Sequence, residues 1–179
     1  MSRFIDEHIR FQKWTFNRWG RRVLIVTFPV FFILCFLFAP GWWGFQRFSM
    51  PMGLGGTAGR CLGLFISASG GALYLWTIVL FAKAQGTQVP LAPTQRIVAS
   101  GPYAVSRNPM VTSAIIMVCG AGVLLDSWSF MLAGLVIPIP YLIYIKLVEE
   151  KELEARFGEA YVAYKKSTPF IVPKMGRWR

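Results

Sequence analysis

The sequence predicts an all-α, polytopic membrane protein of about four transmembrane helices, or five if a short apolar piece hides elsewhere, ending in a cytoplasmic amphipathic helix. Three observations predict it. The 179 residues are 55% hydrophobic and 16% aromatic, with a mean hydropathy of +0.49, too apolar for a domain facing water on all sides. The apolar residues fall in blocks of about 16 to 22 with almost no internal charge, close to what a helix needs to cross ~30 Å of hydrocarbon. Lys and Arg outnumber Asp and Glu by 19 to 8, giving a net charge of +11, and the basic residues alternate between rich and poor segments along the chain. A charge of +11 suits nucleic acid too, but the polar flanks of membrane spans account for it, so no nucleic-acid partner is expected.

The arm before Val23 interleaves Phe4, Ile5, Ile9, Phe11, Trp14, Phe16 and Trp19 with Arg3, Arg10, Lys13 and Arg18, the pattern of a helix lying in the membrane interface. It carries six basic residues and no continuous apolar core, so it does not read as a cleavable signal. The first block runs from Val23 to Ala39 and is closed by Pro40, Gly41 and the paired Trp42 and Trp43, an interfacial belt. Residues 53 to 59 superficially satisfy a dinucleotide-binding fingerprint, but no strand precedes them. They read instead as a flexible loop, with Gly59 and Gly63 allowing close helix packing. The second block spans Cys61 to Ala82. The third, Met110 to Leu125, and the fourth, Ser129 to Ile145, are separated only by Asp126, Ser127 and Trp128 and so predict an antiparallel helical hairpin.

Charge orients this bundle. Segments on the N-terminal side of four spans hold 17 basic residues and those on the other side two. Both termini and the loop from Lys83 to Asn108 are therefore expected in the cytoplasm, with the chain in a plasma membrane of prokaryotic type. The cysteines, Cys35, Cys61 and Cys119, lie in apolar blocks and the only histidine is His8, so neither a disulfide framework nor a metal site is expected.

Chemistry is left to the cytoplasmic loop and tail. Asn108-Pro109 is a helix-start signal: Asn accepts from free first-turn amides, and Pro at the first position sacrifices no hydrogen bond. With Arg107 beside it, this start is a seat for an anion, or alternatively a plain cap next to a snorkelling arginine. In the tail, Leu153, Phe157, Tyr161 and Tyr164 recur at helical spacing as an amphipathic continuation of the fourth span. At about 100° per residue, Glu150 falls mid-stripe and Glu149 at its edge, whereas Lys151, Glu152 and Arg156 point away. Inward carboxylates at a membrane boundary need a partner, which makes this pair either functional or part of a solvated charge run.

Ser100-Gly101-Pro102-Tyr103, then Arg107-Asn108-Pro109, then Glu149-Glu150 with Phe157-Gly158, Tyr161, Tyr164 and the closing Pro169-Phe170-Ile171-Val172-Pro173 resemble the isoprenylcysteine carboxyl methyltransferase and phospholipid methyltransferase superfamily, over roughly residues 83 to 173. The resemblance implies an integral membrane methyltransferase using S-adenosyl-L-methionine and acting on a lipophilic, lipid or lipidated acceptor. The chain is read as one membrane-embedded domain, 1–179: the arm (1–22), two spans (23–82), and the part the resemblance covers, the cofactor-binding loop, hairpin and tail (83–173). Carried over by position, the cofactor would be held by Gln88, by Gln95, Arg96, Ile97 and Val98, by Gly101 and Tyr103 of the turn, by Asn108, Pro109, Met110 and Val111, and by Glu149. Asn108 stands where many members have His, Val111 where many have Tyr, and Ile145 where members with prenylated substrates carry Arg. An Asn can still donate to a carboxylate, but it cannot serve as an imidazole base. Methyl transfer from a sulfonium needs positioning and exclusion of water rather than a metal. The catalytic candidates are therefore Glu150 and Tyr103 for proton removal, and Arg107 at the helix start. Two other readings remain: a membrane sterol or enone reductase using NADPH, for which Lys83, Arg96 and Arg107 offer few phosphate partners, and a scaffold that kept the fold without catalysis.

Overall fold

The computed structural model describes residues 38–47, 51–83 and 97–171. The interfacial arm, nearly all of the first apolar block, and Gln88, Gln95 and Arg96 lie outside the described residues. Helix α1 (Ala39–Arg47) is followed by α2 (Thr57–Lys83), a one-turn α3 (Pro102–Val105) and α4 (Pro109–Leu124). A rod then runs through α5 (Trp128–Val136), α6 (Pro138–Tyr144), a π-helical turn (Ile145–Glu149) and α7 (Glu150–Phe157), and α8 (Glu159–Ser167) closes the order. Among the described residues there is no strand, only an isolated antiparallel bridge between Pro51 and Ser127.

Two helices are long and apolar enough to cross a membrane, Thr57–Leu80 and the rod Trp128–Phe157, while Pro109–Leu124 is a shorter apolar helix. In each long helix only 22% of the most apolar stretch is buried inside the protein. The core helix of a water-soluble domain would bury most of that surface. Here Phe65, at 72% exposure, joins Leu62, Leu64, Leu75 and Val79 on the outside of α2, and Leu132, Leu135, Ile139 and Ile143 line the outside of the rod. Such a surface is stable against lipid and not against water.

The inner contact is built from small residues. Helices α2 and α4 run antiparallel, and a Cβ on Gly63 would sit 2.2 Å from the Leu124 nitrogen, one on Gly70 2.5 Å from Met117 nitrogen, and one on Gly120 2.4 Å from Ser67 nitrogen. Backbone meets backbone along this seam, and Ser67 Oγ donates across it to the Met117 carbonyl at 3.0 Å. Gly63 thus does the packing expected of it. Gly59 does not: its nearest atom is the Leu54 carbonyl of its own approach loop. Tyr74, Ala114, Val118, Ala121 and Phe130 form the core.

The expected hairpin is present, α4 returning into α5 through residues 125–127. Three expectations change. Pro40 to Trp43 do not close a helix but lie inside α1, where Gly41 lets the chain press onto the Phe130 ring. The fourth block passes Pro138 and Pro140 with only a turn at Ile137, and leaves α-helical register at Ile145. Pro138 and Pro140 have no N–H to donate one turn back, to the Gly134 and Val136 carbonyls, which accounts for the turn at Ile137. Finally, the tail is two helices, because Gly158 adopts φ 55°, ψ −135°, a backbone region that side-chain-bearing residues avoid.

Candidate functional site at the charged end of the bundle

Gly101 opens the site. At φ 59° and ψ −131° it turns the chain into α3, with Pro102 as the first helical residue, and seats the loop against Trp76 and Leu80 of α2. Tyr103 is buried by this turn, and Tyr164 donates from its hydroxyl to the Tyr103 carbonyl at 2.7 Å. Burial pushes the Tyr103 hydroxyl well above the usual tyrosine value, with Tyr164 and the charge of Glu149 adding to the effect. Tyr103 therefore stays a neutral phenol at physiological pH, able to donate a hydrogen bond but not to remove a proton.

Asn108 precedes α4 as expected, yet its side chain makes no capping hydrogen bond. Its Nδ2 donates instead to the Phe170 carbonyl at 3.0 Å, and Ser106 Oγ donates to the same carbonyl at 3.3 Å. The Arg107 N–H donates to the Pro169 carbonyl at 2.9 Å. The C-terminal segment thus lies across the start of α4. The donation from Nδ2 to Phe170 fixes the orientation of the Asn108 side chain, and in that orientation Oδ1 caps no first-turn amide.

Arg107 is committed in the same way. Its guanidinium forms an ion pair with Glu150 Oε1 and lies over the Phe170 ring at 5.5 Å. Lys165 Nζ takes the other oxygen of Glu150 at 3.1 Å and also reaches Glu154 at 2.8 Å. Glu150 is 3% exposed, so the stripe correctly aimed it inward, and the cations answer the cost of burying its charge. Burial also pushes Tyr161 up to about 12, with Glu150 adding and Arg107 opposing. Arg107, read from the sequence either as part of an anion seat or as a snorkelling arginine beside a plain cap, is bound to a carboxylate of its own chain.

Glu149 differs from its neighbour. It is half-buried and makes no hydrogen bond or ion pair with a described residue, although its charge is felt at Tyr103. The structure therefore brings Tyr103, Arg107, Asn108, Glu149 and Glu150 to one end of the bundle. Ile97 and Val98 are half-buried beside the turn, Val111 is half-buried, Pro109 is buried, and Met110 packs on the Tyr74–Val118 core.

The family model for phospholipid methyltransferases matches residues 58–160, more than half of the chain. The chain belongs to the phospholipid methyltransferase family. It is accordingly a methyltransferase of membrane type, and the match covers α2, the Gly101 turn, the hairpin and both glutamates of the rod. No curated protein and no solved structure gives a significant match. Within this phospholipid methyltransferase-family chain, sequence reasoning missed Lys165, Pro169 and the Phe170 carbonyl as parts of the charged end. On a continuous helix the fifteen residues from Glu150 to Lys165 would span about 22 Å. The bend at Gly158 is what returns Lys165 to 3.1 Å, and the signal for it was a glycine inside an otherwise helical stripe together with a buried carboxylate in need of cations.

Proposed function

We propose that the protein transfers a methyl group from S-adenosyl-L-methionine to a lipid-borne acceptor, with Glu149 holding the cofactor. The observation that carries this reading is the contrast between the two adjacent glutamates: Glu150 is gripped by two cations, whereas Glu149 has no such partner among the described residues. A half-buried carboxylate beside a neutral phenol suits a ligand that brings its own positive charge and hydroxyl donors, so the residues present fit this cofactor. When bound, it supplies an electrophilic methyl group on a sulfonium. Tyr103, kept protonated by burial, presents a phenol rather than a phenolate at that boundary. Gly101, Ile97 and Val98 beside the turn, and Asn108 to Val111 at the start of α4, are the other residues that would hold the cofactor.

Transfer is then a displacement. An acceptor would take the methyl carbon with its lone pair as the carbon–sulfur electron pair returned to sulfur, and an amine acceptor would shed its proton to water. Neither candidate base supports proton removal by the protein, since Tyr103 holds its proton and Glu150 is occupied by Arg107 and Lys165. Ile145, buried and apolar one turn before Glu149, offers nothing to a carboxylate acceptor, which favours an amine headgroup or a thiol over a prenylcysteine carboxylate. The proposed topology is four spans with this end in the cytoplasm. A cysteine placed near Asp126 should then label from outside intact cells, and protection there would reverse the orientation.

Equilibrium binding to the detergent-solubilised protein tests the central assignment. S-adenosyl-L-methionine and its demethylated product should bind saturably, and Glu149→Ala should weaken both by about tenfold or more, as expected for losing a charge-assisted hydrogen bond. Saturable NADPH binding with no affinity for either compound would overturn the reading.

A further inference from the structure

The π-helical turn Ile145–Glu149 ends on Glu149, and α7 begins on Glu150. A π turn is a one-residue excess in an α-helix, and relaxing it to α-helical register would rotate the helix beyond the turn by about 100° relative to the helix before it. Something must hold the register on the far side of the turn. The first residue placed to do so is Glu150, and it is held at both oxygens from two different segments: Arg107, between α3 and α4, on Oε1, and Lys165, in α8, on Oε2. Lys165 reaches that place because Gly158 reverses the tail, and α8 is tied down independently by Tyr164 on the Tyr103 carbonyl and, just beyond it, by Pro169 and Phe170 on residues 106–108.

We propose that Lys165 is a positioning residue for methyl transfer: by gripping Glu150 opposite Arg107 it fixes the helix register that aims Glu149 at the cofactor. The inference rests on the assignment of Glu149 above. It adds a residue beyond the segment matched by the family model, which ends at residue 160. Lys165 acts through Glu150 and Glu149 and touches neither cofactor nor acceptor. Its side chain is 39% exposed, so its loss is not equivalent to opening the core. That separates its effect on the site from an effect on folding.

The test uses the full chain in detergent or reconstituted vesicles, with S-adenosylhomocysteine affinity, the Michaelis constants for methyl donor and acceptor, kcat and the thermal midpoint measured for Lys165→Met, Lys165→Arg and Glu149→Ala. Lys165→Met should weaken S-adenosylhomocysteine binding and raise the donor KM by about three- to tenfold, with the acceptor KM and thermal midpoint close to wild type. Lys165→Arg should restore affinity to within about twofold, because a guanidinium can reach the same oxygen. In the double variant with Glu149→Ala, the Lys165→Met effect should largely disappear, since there is no longer a carboxylate to aim. Wild-type affinity in Lys165→Met, a change confined to the acceptor KM, or full additivity with Glu149→Ala would each overturn the proposal. If Glu149→Ala loses binding while Lys165→Met does not, only the role of Lys165 fails. If the wild type binds neither compound, the cofactor assignment fails first.

Discussion

The two ends of this helical bundle are closed by different chemistry. At one end the hairpin turn carries Asp126 at φ 53°, and its Oδ1 accepts from the Met52 and Leu54 N–H groups at 3.0 and 2.8 Å while its carbonyl accepts a further bond from Met52 at 3.3 Å. One side chain pins a loop through that loop's backbone, and no ion pair forms there among the described residues. At the other end Arg107, Glu150, Lys165 and Glu154 form an ion cluster joining the loop after α2, the rod and the tail. Backbone amides are fixed in number and direction, so the first closure is rigid and needs little from the loop's side chains. Ionised side chains carry a desolvation cost that is recovered chiefly by the buried Arg107–Glu150 pair, with the more exposed Lys165 adding orientation, so the geometry of the second closure depends on three separate segments staying docked. The difference teaches where this fold keeps an adjustable surface: the end held by charges is also the end that carries Glu149, which has no ion-pair partner among the described residues.

Removing Arg107 should produce the largest effect. Arg107→Ala leaves Glu150 buried with only the half-exposed Lys165, a class of change that costs roughly 3–5 kcal/mol. We expect a large drop in the thermal midpoint of the solubilised protein together with loss of methyl transfer. Pairing it with a neutral partner, Arg107→Met with Glu150→Leu, should recover most of the stability, because an apolar pair has no charge to desolvate, and should leave activity absent. Recovery of activity in the double variant would show that the ion pair has no bearing on the site and would erase the distinction between the ends.

How much of this was legible in the sequence divides along the same line. The blocks from Cys61 to Ala82 and Met110 to Leu125 and the hairpin between the third and fourth blocks were readable because lipid leaves a continuous apolar run no alternative to a helix. Within one helix the 100° wheel also placed Glu150 inward, as found. Reading failed wherever the outcome depended on a second segment. Asn108 has the composition of a cap, but its side chain is oriented by donating to a carbonyl sixty-two residues away. Arg107 and Glu150 each stand out without being paired, since no local pattern links positions forty-three residues apart. The π turn at Ile145 is local, but it opposes intrinsic propensity and is stabilised by packing, here by the grip on Glu150, while α1 carries Pro40 in its first turn and is seated by Phe130 against Phe38 and Gly41. Gly158 belongs to a recognisable motif and still passes, on the helical wheel, for a point on a continuous stripe.

An intermediate effect is expected at the opposite end. Asp126→Ala strips the acceptor from two backbone N–H groups and places a less tolerant residue at positive φ, for a loss of about 1–3 kcal/mol. Asp126→Asn keeps an acceptor and tolerates the backbone angle, so it should recover at least half of that loss. If the two ends are independent, S-adenosylhomocysteine affinity is unchanged in both variants once each is assayed below its own midpoint. Affinity falling in step with stability would show the hairpin turn transmitting to the charged end along α4 and the rod.

The smallest effect is a difference in alkaline sensitivity. Tyr103 and Tyr164 are pushed above the usual tyrosine value chiefly by burial, Tyr161 is pushed up to about 12, and Lys165 is raised by its hydrogen bonds to Glu154 and Glu150. All four hold their protons more tightly in the folded protein than in the unfolded chain. Their contribution to stability is therefore complete below the unfolded values near 10 and declines as pH rises toward the folded ones, because the unfolded state loses its protons first. They all sit at the charged end. Hydrogen exchange measured from about pH 8 to about pH 11, with each amide corrected for its intrinsic rate, should show protection falling in residues 159–171 before it falls at Met52 and Leu54. Tyr164→Phe removes one of the titrating groups, so its protection should start lower, for want of the bond to the Tyr103 carbonyl, and decline less steeply with pH. Protection lost at both ends together would mean that the bundle opens as one cooperative unit, and that the contrast between a backbone-pinned end and a charge-clasped end does not extend to how the protein comes apart.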